Sequence, residues 1–484
     1  ENTEGNTENK PRKCLPGGIY KSVDGGKTWT DSSEGLSKRV HENPNLTARY
    51  KAFCIAPSNP DVLYTNDSAW DGAKFYRSDD GGKSWRVILT HATPKPVQTA
   101  YPSGYGVTVL SVNPKNENEV YGAGAEFILA SFNGGETWTD LTSVEVEIED
   151  GNHWTWKGRG YSGLCCIGFR FDPYHDGRSV LLAMDAGKCW ESVDFMKTWS
   201  YHGQKPGNWG GGSDASFAKD GTTYVTTGQN RDSGNILKGG LNQPGPWRPL
   251  AVEGSGLPDG KTCVARGIFT SPDNADRVWV VFGGKLYRSV DGGEKWTLMS
   301  EEDTFGWIAP IPGKQRSFYV SGKNGIWKTT NGKMLTFIGG PKCGEHVPRI
   351  CTDSRGRVLL AAFKAPSEIG GLWRFDPKQA ENDGWTHLKK DPESCATMPT
   401  VDPTNPERLL LISEDHPYHD HIRCEAVQLS LDDGKTWHIL AAGLPTERAG
   451  CAAFNPFRPN EIIVGTGGCG YFKAEIKTKT KTEP

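Results

Sequence analysis

The stretch KSVDGGKTWT (21–30) reads as a strand, a glycine-supported turn and a second strand that opens on tryptophan. Paired glycines supply the positive φ that a tight hairpin needs, and an aspartate just ahead of them can bond to its own turn. The stretch returns as RSDDGGKSWR (77–86), SFNGGETWTD (131–140), RSVDGGEKWT (288–297) and SLDDGKTWHI (430–439). The serine of each clear copy stands at 22, 78, 131, 192, 289 and 430. Weaker copies lie at TTNGKMLTF (329–337), around Trp247 and in LWRFDPKQAENDGWTHL (372–388), which makes the unit about fifty residues long.

Within a unit the order also repeats. FCIAPSNPDVLYTND (53–67) reads strand, Asn-Pro turn, strand, and KFYRSDDGGKSWRVI (74–88) reads strand, Gly-Gly turn, strand. Four short strands cannot bury both faces of their sheet alone, so such units are expected to stack as the blades of a β-propeller. The chain opens on half a blade, GGIYKSVDGGKTW (17–29), and closes on the other half, CAAFNPFRPNEIIVGTGGCGYFKAEI (451–476). The prediction is therefore all-β: a single propeller over 17–477, with a lead-in at 1–16 and a tail at 478–484. Repeat counting gives nine blades, with seven or eight as alternatives. The N- and C-terminal strands are expected to close the ring in one blade, which removes an exposed edge.

Composition narrows the function classes. Lys plus Arg number 55 against 58 Asp plus Glu, a net charge of −3, so no global basic field argues for nucleic acid. No apolar run is long enough to span a membrane. The polar start ENTEGNTENKPRK (1–13) is what a processed secreted chain shows, and an extracellular or periplasmic location is expected. Twelve cysteines form no Cys-x-x-Cys pair, and Cys54, Cys166, Cys263, Cys351, Cys395 and Cys451 fall near strand starts. Disulfides in an oxidising compartment are the expected reading, with reduced core thiols as the alternative.

The Ser-x-Asp-x-Gly-x-Thr-Trp pattern is similar to the Asp-box, or BNR repeat, of sialidases, xyloglucanase-type glycoside hydrolases and sortilin-type receptors. The NPDVLY…FYRSDDGGKSW cadence resembles the xyloglucanase and sortilin branch over nearly the whole chain. That resemblance implies that the repeated turn joins the outer strands of each blade and is scaffold. Asp24 and Asp80 would accept N–H groups of their own turns, and Trp29 and Trp85 would wedge between blades.

Chemistry is then expected in the non-repeated connections that reach the axis. Segment 31–52 carries His41, Arg49 and Tyr50, and 90–106 carries His91, Tyr101 and Tyr105. Segment 144–163 carries His153, Trp154, Arg159 and Tyr161, and 201–214 carries His202, Trp209 and Asp214. Their aromatic faces, with Trp307, suit the apolar faces of sugar rings; the alternative is that they pack on one another. Arg49, Arg159, Arg266, Arg349 and Arg448 fall just before or within predicted first strands, where they would converge on an anionic group or pair with acidic neighbours.

Carboxylates end several second strands: Asp67, Asp185, Glu414 and Asp415. MDAGKCW (184–190) resembles the Asp-x-Gly-Gly segment that carries a catalytic aspartate in xyloglucanase-type enzymes, with Lys188 replacing the second glycine. That likeness implies Asp185 as acid or base, with Asp67 or Asp415 as its partner. EDHPYHDHIRCEA (414–426) sets His416, His419 and His421 in an H-x-x-H-x-H spacing, which suits a divalent metal or a base–acid pair.

The expected function is a secreted polysaccharide-cleaving enzyme, first a glycoside hydrolase that needs no cofactor. One alternative is a lyase on a uronic-acid glycan, with His153, Tyr161 or His419 as base and an arginine neutralising the carboxylate. The other is a non-catalytic propeller that binds glycan or peptide. The expected partner is a polysaccharide or oligosaccharide, neutral or anionic, met by a monomer.

Overall fold

The computed structural model describes residues 16–39, 47–67, 74–89, 97–98, 107–124, 128–145, 155–158, 165–184, 189–202, 211–228, 234–243, 247–414, 425–440 and 442–477. The chain packs as two compact units: residues 1–145 with 157–163, and residues 146–156 with 164–484.

In the first unit the strands Tyr20–Lys21 and Thr30–Asp31 form a hairpin that pairs with no further strand among the described residues. A four-stranded antiparallel sheet follows, Ala52–Ile55, Leu63–Asn66, Phe75–Ser78 and Arg86–Leu89. A five-stranded sheet comes next, its first long strand Val107–Asn113 packed beside Ala52–Ile55. Tyr64, Phe75, Val112, Val120 and Trp138 fill the space between the two sheets.

The second unit is a ring of seven sheets. Their first strands are Cys166–Phe171, Gly212–Phe217, Ala265–Ser271, Phe305–Pro310, Arg349–Thr352, Ala396–Val401 and Ala449–Phe454. Each packs beside the next in that order, and Ala449–Phe454 packs beside Cys166–Phe171 again. Second strands such as Val358–Ala362 and Leu409–Ser413 are buried at every residue, because neighbouring sheets cover both faces. The apolar clusters accordingly straddle neighbouring sheets, as Phe269, Trp279 and Val281 do with Phe305, Phe318 and Val320. Arginines tie the sheets as well: Arg178 donates to the Gly221 carbonyl at 2.8 Å, and Arg408 to the Pro459 carbonyl at 2.7 Å.

All-β architecture and four-stranded units agree with the sequence, but the ring differs from the expected one. Among the described residues the ring holds seven sheets, the lowest of the expected numbers, and it closes within the second unit. Its last sheet has three strands, and the N-terminal hairpin is not part of it. Closure instead runs from hub to rim between the first and last sheets. Cys166 and Cys451 bring their sulfurs to 3.6 Å, Trp199 donates to the Tyr471 hydroxyl at 3.1 Å, and Arg458 grips Asp176 at 2.8 and 2.9 Å. Repeat counting registers units and carries no information about which two of them meet.

The repeated turn is a closed hydrogen-bond circuit between the third and fourth strands of its sheet. In 430–436, Ser430 Oγ donates to Asp432 and accepts the Gly434 N–H at 2.9 Å, while Asp432 accepts the Thr436 N–H at 2.8 Å and its hydroxyl at 2.6 Å. The turns at Ser22, Ser78, Ser192 and Ser289 repeat the serine–aspartate core of that circuit, and at 131–137 Asn133 takes the aspartate's place. The aspartate reading thus holds for Asp24 and Asp80, which accept the N–H of Thr28 and Ser84 at 2.9 Å. Wedging holds for Trp85, buried with its indole N–H on the Ser32 carbonyl at 2.8 Å. It fails for Trp29, which is 62% exposed and turns its N–H back to Gly26 at 3.1 Å. The hairpin meets the next sheet through Ser32, which bonds to the Gly82 carbonyl and accepts from Trp85, and leaves Trp29 on its outer side.

Candidate functional site

Charged residues from several sheets come together at the hub of the seven-sheet ring. Arg170, Asp214, Arg266 and Arg349 stand on the first strands of the first, second, third and fifth sheets. Trp307 comes from the fourth. The Arg349 guanidinium sits 4.1 Å from the centroid of the Trp307 ring. Arg170 pairs with Asp214 through its second terminal nitrogen at 3.0 Å and through Nε at 3.1 Å. Arg266 donates to no acceptor among the described residues.

Burial pulls Arg349 down to about 10, and the positive charges of Arg170 and Arg266 pull in the same direction, with Asp214 opposing. Burial also lowers Arg266. On the rim of the hub, His346 is lowered by burial and then by Lys364 and Arg266, with Glu345 opposing. Arg170, Arg266 and Arg349 belong to sheets that are not neighbours, so only a shared central space lets them feel one another. Arg170 and Asp214 are each partly or largely withdrawn from water, where a charge pair acts with less screening than at a surface.

Several sequence candidates have other tasks. Tyr50 donates its hydroxyl to the Ser37 carbonyl at 2.5 Å and meets Tyr76 edge-on at 6.0 Å; burial, then Tyr76 and Asp67, raise its pKa. Asp67 is buried and accepts the Lys74 N–H at 2.6 Å, so it closes the loop between two strands of its own sheet. Both belong to the first unit, as does the exposed Arg49. His202 is buried, faces Glu191 at 3.1 Å and stacks on Trp247 at 4.4 Å, a packing role. Arg448 lies at the start of the last sheet, its carbonyl accepting the Gly467 N–H at 3.1 Å. Trp307 offers one ring face to Arg349, so that face is not available to a sugar.

Asp185, Asp415, His416, His419, His421, His153, Tyr161, Tyr105, Trp154, Arg159 and Trp209 lie outside the described residues. Among the described residues no group of three or more His, Cys, Asp or Glu side chains could hold a metal ion. Cys54, Cys166, Cys263, Cys343, Cys351, Cys451 and Cys469 carry free thiols, so no disulfide is formed at those seven positions. No helix among the described residues is long and apolar enough to cross a membrane.

Sequence reasoning found Arg266, Arg349 and Trp307 but passed over Arg170 and the partner role of Asp214. A signal was present: Arg170 sits two residues before Asp172, where the other sheets place Cys351 before Asp353 and Thr400 before Asp402. A charge at a position that other repeats fill with small side chains marks a hub residue.

No family model matches the chain. Among curated proteins it is similar to Xyloglucanase Xgh74A of Acetivibrio thermocellus, 24% identical over 395 residues, which cover 77% of this chain and 36% of that protein. A "Probable oligoxyloglucan-reducing end-specific xyloglucanase" of Neosartorya fischeri is 27% identical over 168 residues, 29% of this chain and 20% of that protein. The chain thus spans about a third or less of the curated relatives it matches. Among solved structures it is similar to the GH74 xyloglucanase from Xanthomonas campestris, at 15% identity and a TM-score of 0.42, over 96% of this chain and 63% of that one. YCF48 bound to D1 peptide is 12% identical with a TM-score of 0.46, over 71% of this chain and 97% of that one. The xyloglucanase resemblance read from the repeated motif is matched by these relatives.

Proposed function

We propose that this chain is a secreted glycoside hydrolase that cleaves a polysaccharide at the centre of its propeller. The observation that carries the reading is the similarity to a xyloglucanase over 77% of the chain. Asp185 and Asp415 are the proposed acid/base carboxylates, one protonated to assist the leaving oxygen and one ionised to activate water or attack. No metal is required for that chemistry; His416, His419 and His421 are the proposed ligands should a divalent ion take part. The arginine-rich hub favours a second reading, elimination on a uronic-acid glycan, in which an arginine neutralises the carboxylate and His153, Tyr161 or His419 removes the adjacent proton.

Incubation with neutral and acidic polysaccharides tests both. New reducing ends without new ultraviolet absorbance support hydrolysis, and ends accompanied by the absorbance of an unsaturated sugar support elimination. No turnover of any polysaccharide overturns the enzyme reading. Asp185→Ala is expected to abolish turnover with little change in the unfolding midpoint.

A further inference from the structure

We infer that Cys166 and Cys451 form a redox latch across the seam of the seven-sheet ring. Reduced, the pair leaves the first and last sheets held by contact alone; oxidised, a disulfide locks the circle. The inference stands apart from the glycan reading and goes beyond it. The two residues lie on the first strands of the first and last sheets, which pack side by side. They are 285 positions apart in sequence, yet their sulfurs stand 3.6 Å from each other and both side chains are fully buried. Both carry free thiols in this structure.

The space around the sulfurs suits a bond between them. Gly465, on the second strand of the last sheet, stands opposite Cys451 in register, and a Cβ added there would lie 2.5 Å from each sulfur. The pair therefore rests on bare backbone, and any larger residue at 465 would push it apart. The gap that remains to the roughly 2.05 Å of a disulfide is one that side-chain rotation and a slight shift of the strands cover.

The same burial decides when the bond forms. The hydrogen bond with Cys451, and then burial, hold the Cys166 thiol well above its usual range. The closed ring thus offers almost no thiolate, and an external disulfide cannot reach it. Oxidation belongs to the open seam. There one cysteine thiolate attacks a low-molecular-weight disulfide such as oxidised glutathione, and one glutathione thiolate leaves. As the strands dock, the second cysteine thiolate attacks the protein sulfur of that mixed disulfide and expels the other glutathione. The protein gives up two electrons and two protons, and the oxidant ends as two glutathione thiols. Once the seam shuts over the bond, it excludes reductants as well.

The test refolds the full chain from reduced, denatured solution, with or without a mixture of oxidised and reduced glutathione, then alkylates the remaining thiols and maps the peptides. A cross-link between Cys166 and Cys451 is expected, with fragmentation between the adjacent Cys165 and Cys166 assigning the sulfur. The cross-linked chain should melt at least about 3 °C above the reduced one, because the bond closes a long loop through the ring. The same mixture added to the folded, reduced chain should form the bond at least about tenfold more slowly. In Cys451→Ala the oxidant should bring no gain in melting temperature. Alkylation of both cysteines after oxidative refolding overturns the inference, as does a cross-link from Cys451 to Cys165. Equal melting temperatures of the cross-linked and reduced chains overturn it without need of any variant. A gain of the same size in Cys451→Ala does so too. Oxidation of the folded chain as fast as during refolding overturns the requirement for an open seam.

Discussion

The turn at 289–295 and the hub around Arg349 belong to the same unit and are built on opposite principles. In the turn, every polar partner lies within a few residues: Ser289 accepts the Gly293 N–H at 2.9 Å, and Asp291 accepts the Lys295 N–H at 3.0 Å. At the hub, partners come from other sheets: Arg170 pairs with Asp214 of the next sheet, and Arg349 stacks on Trp307 of the one before it. Local circuits satisfy themselves and need nothing from outside. A cluster assembled from several sheets depends on the whole ring, and that asymmetry separates the turns from the hub.

The contrast can be broken by mutation. The largest effect is expected at the wedge: Trp296→Ala empties a buried site beside Leu250, Tyr287 and Phe282 and should cost about 3–5 kcal/mol in denaturant unfolding. Ser289→Ala leaves the buried Gly293 N–H without its acceptor and should cost about 1–2 kcal/mol by the same measurement. A loss at Ser289 as great as that at Trp296 would show that the circuit, and not the wedge, organises the rim.

Acid offers a finer probe. Hydrogen bonds from Thr436 and Ser430 hold the Asp432 carboxyl at about 2, below its usual value of 3.8. A depressed carboxylate contributes stability above its unfolded pKa and loses it as pH falls toward the folded one, here between about 4 and 2. The Thr436 amide resonance should therefore move with a midpoint near 2. The Thr137 amide, bonded to Asn133 in the equivalent turn of the first unit, should not titrate with its acceptor. Identical titration of both would assign the acid response to something other than the turn carboxylate. The smallest effect is expected at the hub, where Arg266→Met removes one of several like charges and should leave the unfolding midpoint unchanged or slightly raised. A marked loss there would make Arg266 scaffold after all.

The same contrast explains what could be read from the sequence. Ser430 to Thr436 contains its whole circuit, so the turn and the strands beside it were legible residue by residue. Arg349 was legible as an arginine on a first strand, but its stacking on Trp307 crosses a sheet boundary, and its coupling to Arg170 crosses the ring. Tyr50 and Asp67 carried the right chemistry for a site, yet Ser37, Lys74 and Tyr76 engage them, and no local pattern announces those partners. Blade number stayed open between seven and nine for a related reason. Nine repeats can be counted along the chain, but which sheet abuts which is decided by contacts such as that of Cys166 with Cys451.

That seam has a kinetic meaning. Gly450 leaves no room for a side chain, because an added Cβ would lie 2.5 Å from the Cys166 carbonyl oxygen, so the two strands must dock closely or not at all. The strand that completes the circle is the last first strand of the ring to be made, and it seats against the one made first. Until it arrives, Cys166–Phe171 presents an uncovered apolar flank, and a nascent or truncated chain should be correspondingly slow to mature and prone to associate.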